Sequence, residues 1–282
     1  MHSGLHHLQV RDAELGLTFP AIVQYPTLEP PAGTQIGPYP FDATLDAPIA
    51  QGRFPVCGIS HGGGSSHLLH RTVATHLAQH GFIVVCQEHP GDNRNDRSLM
   101  NTDTSAANRP GHATLAINAV LESPFFRQVA DASRLCVVGH SMGGYTALAM
   151  MGGQPWSRSR LPVNVRKDAR IKAAVLMVPA TDWYMAPDSL DGVSGPLLVL
   201  AAEHDDVTPV HRMRQVLERL PNTVPMTLQV IEGAGHFSFL SPFPAAMRRA
   251  DFPPSTDPEG FDREQFHLAL PQMVHAFLAS VL

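Results

Sequence analysis

Apolar and polar positions change their period along this chain once it passes Arg53. In residues 8–26 they alternate, with Leu8, Val10, Leu15, Leu17, Phe19 and Ile22 set around Asp12 and Pro20, which predicts an opening antiparallel hairpin. Residues 27–53 carry five prolines and three glycines and read as an irregular surface excursion. From there strand-like and helix-like segments take turns. Strands are expected at Pro55–Ser60, Phe82–Gln87, Leu135–Val138, Ile171–Val178, Pro196–Ala202 and Met226–Ile231. Between them the spacing predicts helices over 65–80 (Leu69, Val73 and Leu77 on one face), over 111–121 after a polar loop from Glu88 to Arg109, after Ser141, and over 210–220. Asp262 and Gln265 open a last amphipathic helix, with Phe266, Leu270, Val274, Phe277 and Val281 inward and a kink at Pro271. Short doubly apolar strands alternating with helices define an α/β protein, a mostly parallel sheet of about eight strands covered on both faces. With no repeat, linker or room for a large lid, residues 1–282 are expected to form a single domain.

The strand Leu135–Val138 runs into Gly139-His140-Ser141-Met142-Gly143, and a helix-compatible stretch from Tyr145 follows at once. A Gly-x-Ser-x-Gly between strand and helix is the setting of a nucleophile elbow, where the serine backbone is strained and bulky neighbours would collide with the flanking elements. The turn would hold the Ser141 hydroxyl above the sheet. It would also aim the Met142 N–H at developing negative charge.

A serine hydroxyl needs a base, and the base needs an orienting acid. Both are expected just past carboxyl ends of later strands, in the order Ser, acid, His. Strand 226–231 leads to Glu232-Gly233-Ala234-Gly235-His236, so His236 is the candidate base. Strand 196–202 leads to Glu203-His204-Asp205-Asp206, and Asp205 is the leading acid, because Glu203 leaves the strand early and Asp206 points the other way. Asp182, after strand 171–178, is the runner-up. The loop Ser60-His61-Gly62-Gly63-Gly64 follows the first parallel strand, and Gly63 is assigned as a second oxyanion donor beside Met142. His61, His140, Trp183, Tyr184 and Phe237 are expected to border substrate, and the aromatics imply an apolar acyl or alcohol group. Arg248 and Arg249 stand beside the apolar insertion 237–261.

Composition narrows the classes. A net charge of −5 without basic runs argues against nucleic acid. No apolar run reaches about 18 residues, so no transmembrane segment is expected. The start of the chain lacks a cationic segment followed by an apolar one. Cys57, Cys86 and Cys136 each fall in a strand-like run and are expected as free core residues. A cytoplasmic enzyme is the expectation, with a small-molecule ester as partner and a homodimer compatible with the sequence. The pairs His67/His70 and His76/His80 lack a metal-binding motif, and neither metal nor organic cofactor is expected.

Taken together, Gly52-Arg53-Phe54-Pro55, Ser60-His61-Gly62, Glu88-His89-Pro90-Gly91, Gly139-His140-Ser141-Met142-Gly143-Gly144-Tyr145, Ile171-Lys172-Ala173-Ala174, Glu203-His204-Asp205, Gly235-His236-Phe237-Ser238-Phe239-Leu240 and Phe261-Asp262-Arg263 give a resemblance over nearly the whole chain. It resembles the dienelactone-hydrolase-like branch of the α/β-hydrolases, with the relatives of platelet-activating-factor acetylhydrolase; the elbow is shared with cutinase-like polyester hydrolases. The resemblance implies serine-dependent cleavage of short-acyl esters or lactones, without cofactor. Dienelactone hydrolases proper carry cysteine where Ser141 stands here. Transfer to an acceptor other than water, and binding without catalysis, are the competing readings.

Overall fold

A computed structural model describes residues 1–282. Strands β1 (His2–Asp12) and β2 (Leu17–Thr27) form the opening hairpin, paired from His2 with Thr27 to Asp12 with Leu17. The Asp12 carboxylate accepts the Leu15 N–H at 2.9 Å and Gly16 takes φ +66°, which turns the chain in four residues. Residues 27–53 are not the surface excursion that their prolines suggest. They contain β3 (Thr34–Ile36), β4 (Tyr39–Phe41) and β5 (Thr44–Leu45), and Tyr39, Phe41 and Ala43 are buried. Tyr39 packs edge-on to Phe243 at 6.3 Å and under the Arg71 guanidinium at 5.3 Å.

The alternating part supplies β6 (Phe54–Ser60), α1 (Arg71–Gln79), β7 (Ile83–Gln87), α2 (Asp103–Glu122), β8 (Ala130–His140) and α3 (Met142–Met150). After these come β9 (Ile171–Met177), β10 (Leu197–Ala202), α4 (Val210–Leu217), β11 (Met226–Ile231) and α5 (Arg263–Val281). The large sheet has nine strands in the order β11-β10-β9-β8-β6-β7-β2-β1-β5. It is parallel from β11 to β7, and β2 is antiparallel to both β7 and β1. Within β10, Leu197, Val199 and Ala201 enter the core beneath α2, α3 and α4, whereas Leu198, Leu200 and Ala202 enter the core shared with α1 and α5. The side-chain period of two in a strand thus serves two hydrophobic layers at once, which is why these strands read as unbroken apolar runs.

Two helices start where the periodicity does not put them. Residues 67–70 are turns, preceded by a bridge from Ser65 to Asn93, so α1 begins only at Arg71. The polar loop after β7 gives way to α2 at Asp103, capped by the Thr102 hydroxyl on the Ser105 N–H at 3.1 Å. Pro110 then lies inside α2, against its usual placement. It leaves the Ala106 carbonyl without a helical donor, and the Tyr145 hydroxyl from α3 donates to that carbonyl at 3.0 Å.

This order puts the carboxyl ends of β6, β8, β10 and β11 on one edge of the sheet, where the loops that carry the candidate residues emerge.

Candidate active site

Ser141 sits between β8 and α3 with φ 56° and ψ −117°, a left-handed conformation that costs a non-glycine residue about 1–3 kcal/mol. Its backbone is fixed from both sides, with its N–H donating to Met177 at 3.0 Å and its carbonyl accepting from Ala180 at 3.0 Å. The flanking glycines are required by space. A Cβ on Gly139 would stand 2.0 Å from the Gly143 carbonyl oxygen, and one on Gly143 would stand 1.8 Å from that of Ser60. The motif therefore places the serine at the start of α3, against the end of β6.

His236 follows β11 in a 3-10 turn, and its Nδ1 lies 2.8 Å from the Asp205 Oδ2, with both side chains almost wholly buried. A carboxylate at that distance holds the proton on Nδ1 and leaves Nε2 as the acceptor. Asp205 is itself anchored. Its Oδ1 accepts the N–H groups of Val207 at 2.8 Å and Thr208 at 2.7 Å, and the Thr208 hydroxyl donates to Oδ2 at 2.8 Å. Burial pushes the Asp205 carboxyl up, but the His236 bond and charge and the Thr208 bonds outweigh it and hold it below the usual carboxylate range. The other carboxylates weighed from sequence point elsewhere. Glu203 accepts the Gly233 N–H at 2.8 Å, Asp206 is exposed, and Asp182 lies 3.6 Å from Arg212. Thr208 had no signal in the sequence beyond standing three residues after Asp205.

Ser141 and His236 share the wall of a cavity of about 700 Å³, together with Gly63, Met142, His140 and Phe237. The Gly63 N–H makes no hydrogen bond within the loop that carries it. That loop is gripped from behind by a buried ion pair. Asp92 accepts the Gly64 N–H at 2.7 Å through one oxygen, and the Ser105 hydroxyl at 3.0 Å and Arg109 Nη1 at 2.7 Å through the other. Arg109 also donates to the His61 carbonyl and, at 3.1 Å, to the Thr146 hydroxyl in α3. One guanidinium thus joins the glycine loop to the helix behind Ser141. The pair was missed in the sequence, because Arg109 closes a stretch read there as loop.

Two residues expected at the wall lie elsewhere. His61 is fully buried, donating from Nδ1 to its neighbour Gly62's carbonyl at 2.7 Å and accepting the His89 N–H at 3.1 Å; burial and the nearby Arg109 charge drive its pKa well down. Tyr184 is also fully buried, with its hydroxyl on the Tyr145 carbonyl at 2.8 Å. Both brace the site from behind. Trp183 does face the cavity, as do His140 and Phe237. His140 donates from Nε2 to the His236 carbonyl at 3.0 Å, and burial, then the charges of His236 and His70, pushes its pKa well down, so it is a neutral tether.

Three His, Cys, Asp or Glu side chains converge nowhere in a metal-binding arrangement. The three cysteines are free and buried, and no helix is long and apolar enough to cross a membrane. The cavity thus brings together an alcohol on a strained turn and an imidazole oriented by a carboxylate, a combination whose chemistry suits acyl transfer.

A family model described as Chlorophyllase matches residues 27–160. Cutinase 2 of Thermobifida cellulosilytica is 27% identical over 169 residues, which cover 57% of this chain and 52% of that protein. Cutinase cut1 of Thermobifida fusca is 27% identical over 169 residues, covering 57% and 43%. The chain spans about half the length of the curated relatives it matches. Among solved structures, a ferulic acid esterase from Streptomyces cinnamoneus superposes with a TM-score of 0.76 over 100% of this chain and 90% of that one, at 19% identity. The chain therefore shares the fold of that esterase, and its sequence matches are to the Chlorophyllase model and to cutinases.

Proposed function

We propose that this protein is a serine hydrolase of carboxylic esters. The observation that carries the reading is the 2.8 Å contact of His236 Nδ1 with Asp205, with Ser141 strained on the wall of the same cavity. Ser141 attacks the ester carbonyl as His236 Nε2 takes its proton, and Asp205 holds the tautomer and the imidazolium that forms. The N–H groups of Gly63 and Met142 receive the tetrahedral oxyanion, each contributing about 2.7–4 kcal/mol of transition-state stabilisation. His236 returns the proton to the leaving alcohol, and water then releases the acyl group from Ser141 by the same steps.

Short acyl esters and lactones are the substrates we favour. The cavity takes a small ester and no separate lid domain stands over it. The resemblance to the dienelactone-hydrolase-like branch supports the same range, and the cutinase matches support polyester cleavage as a second reading. Three buried free cysteines suit a reducing compartment, and we place the enzyme in the cytoplasm, acting as one domain.

A fluorophosphonate probe should label the wild type and not Ser141→Ala; absence of label on folded wild type would overturn the reading. A 4-nitrophenyl ester series from acetate to palmitate should turn over best at about two to eight carbons, and a polyester film should lose mass only if the second reading holds.

A further inference from the structure

The cavity that holds Ser141 has a charge pattern that neutral ester hydrolysis does not call for. Arg94, Arg97, Arg158 and Arg212 all line it, and Asp182 is the one carboxylate among its lining residues. The chain as a whole carries −5, so the cavity is a cationic site in an acidic protein. The arginines come from separate places: Arg94 and Arg97 from the loop before α2, Arg158 from the segment between α3 and β9, and Arg212 from α4.

Their local partners leave them largely uncompensated. Arg212 shares its charge with Asp182 at 3.6 Å, both mostly exposed. Arg94 donates to the Tyr39 hydroxyl at 3.2 Å and Arg97 to the Gly64 carbonyl at 3.4 Å, neutral acceptors both. Neither these two nor Arg158 takes part in any of the chain's ion pairs. Like charges gathered around one cavity repel one another, and a cleft focuses their field on whatever enters. Guanidinium groups meet carboxylate and phosphate oxygens in a planar fork, which gives orientation as well as attraction. The rest of the lining includes Trp156, Trp183, Phe237 and Phe252, so a substrate here meets apolar surface and a cationic rim together.

Resting on the ester-hydrolase reading, we infer that the preferred substrate is an ester bearing a second, oxyanionic group, a carboxylate or phosphate, held by the Arg94, Arg97, Arg158 and Arg212 rim while its ester carbonyl lies at Ser141. Arg97 lies over the glycine loop, its Nε 3.2 Å from where a Gly64 Cβ would stand, so the second group is bound a few atoms from the carbonyl.

The test uses 4-nitrophenyl hexanoate, its carboxylate-terminated counterpart mono-4-nitrophenyl adipate, and a phosphate-terminated ester of the same length. At low ionic strength either anionic ester should exceed the neutral one in kcat/KM by about tenfold or more, mostly through KM. Salt at about 0.5 M should reduce the ratio several-fold, because these arginines are exposed to screening. Arg158→Gln and Arg97→Gln should each lower the ratio, and Arg158→Glu should invert it; the larger of the two anionic rates identifies the head group. Equal kcat/KM for all three esters, or a ratio unmoved by salt and by these substitutions, overturns the inference while turnover of the neutral ester keeps the hydrolase reading. If no ester turns over, the hydrolase reading falls. Calorimetric titration of Ser141→Ala with adipate and with 1-hexanol still decides the anion site: tighter binding of adipate, weakened in the added Arg158→Gln, supports it, and equal or absent binding refutes it.

Discussion

Arg109 and Asp92 meet at 2.7 Å in the interior, with each side chain almost inaccessible to water, and between them they touch both the glycine loop and the helix that begins after Ser141. An ion pair buried this deeply is held in place by its hydrogen bonds, and removing one partner leaves an uncompensated charge. Asp92→Asn or Arg109→Met should therefore lower unfolding free energy by about 3–5 kcal/mol, read from urea midpoints. In whatever fraction stays folded, kcat should fall more than KM changes, because Gly64 loses its anchor and the donor at Gly63 shifts. Replacing both partners together should cost less stability than either alone.

Ser141 occupies a backbone conformation that glycine adopts freely. Ser141→Gly should abolish turnover and raise stability by about 1–3 kcal/mol over Ser141→Ala, which loses the hydroxyl but keeps the strain. Thermal midpoints of the two inactive variants check this; equal midpoints would mean that the turn stores no strain.

Asp205→Asn should leave the imidazole in place in the wrong tautomer, with kcat down by about four orders of magnitude. Thr208→Val removes one of the bonds that orient Asp205 and should cost far less, about 10-fold. Single-turnover acylation rates separate the two effects from product release.

Glycines differ in what surrounds them. Gly143→Ala should prevent an ordered elbow, since its Cβ would stand 1.8 Å from backbone. Gly111→Ala, on the exposed side of α2 with open space around it, should stabilise the protein by about 0.5–1 kcal/mol. Denaturation midpoints should move in opposite directions.

Acid should weaken the fold through its interior histidines. Burial drives His70 down to about 3 and His112 and His267 down to about 4, whereas the unfolded chain protonates them near about 6.5. Their folded values lie below the unfolded one, so their stabilisation is complete above pH about 6.5 and is lost progressively as pH falls from there to the folded values of about 4 to 3. Asp205, also lowered on folding, adds loss in the same direction at the acid end. Stability by urea should drop between pH 7.5 and 5, each histidine adding a slope of up to about 1.4 kcal/mol per pH unit. A flat profile over that range would contradict the burial of uncharged imidazoles.

The sequence exposes those parts of this fold that depend on near neighbours. Ser141, Asp205 and His236 stand out as candidates because each lies just past an apolar strand, and short strand-end loops allow few positions for a side chain. Gly139 and Gly143 flank the serine for a reason visible in the motif itself. What stayed hidden depends on distant partners. Nothing around Arg109 announces that Asp92, 17 residues earlier, will meet it inside the protein. Trp183 and Tyr184 are adjacent aromatics in a 3-10 turn, where no period tells which one turns inward. Arg248 and Arg249 drew attention as a pair, yet they bind Glu264 and Asp251, while the cationic wall is assembled from arginines scattered over a hundred residues. Tyr39 was obscured by its proline-rich surroundings.

The cavity wall takes Tyr39 from before the parallel sheet, Arg94 from after β7, Trp156 from after α3, and Phe252 from before α5. The candidate reacting groups, Ser141, Asp205 and His236, hang instead from the loops after β8, β10 and β11. On the proposed reading, selectivity and chemistry occupy separate stretches of backbone, and exchanging one wall segment for another of equal length would retune which molecules enter while the strands keep the candidate trio in register.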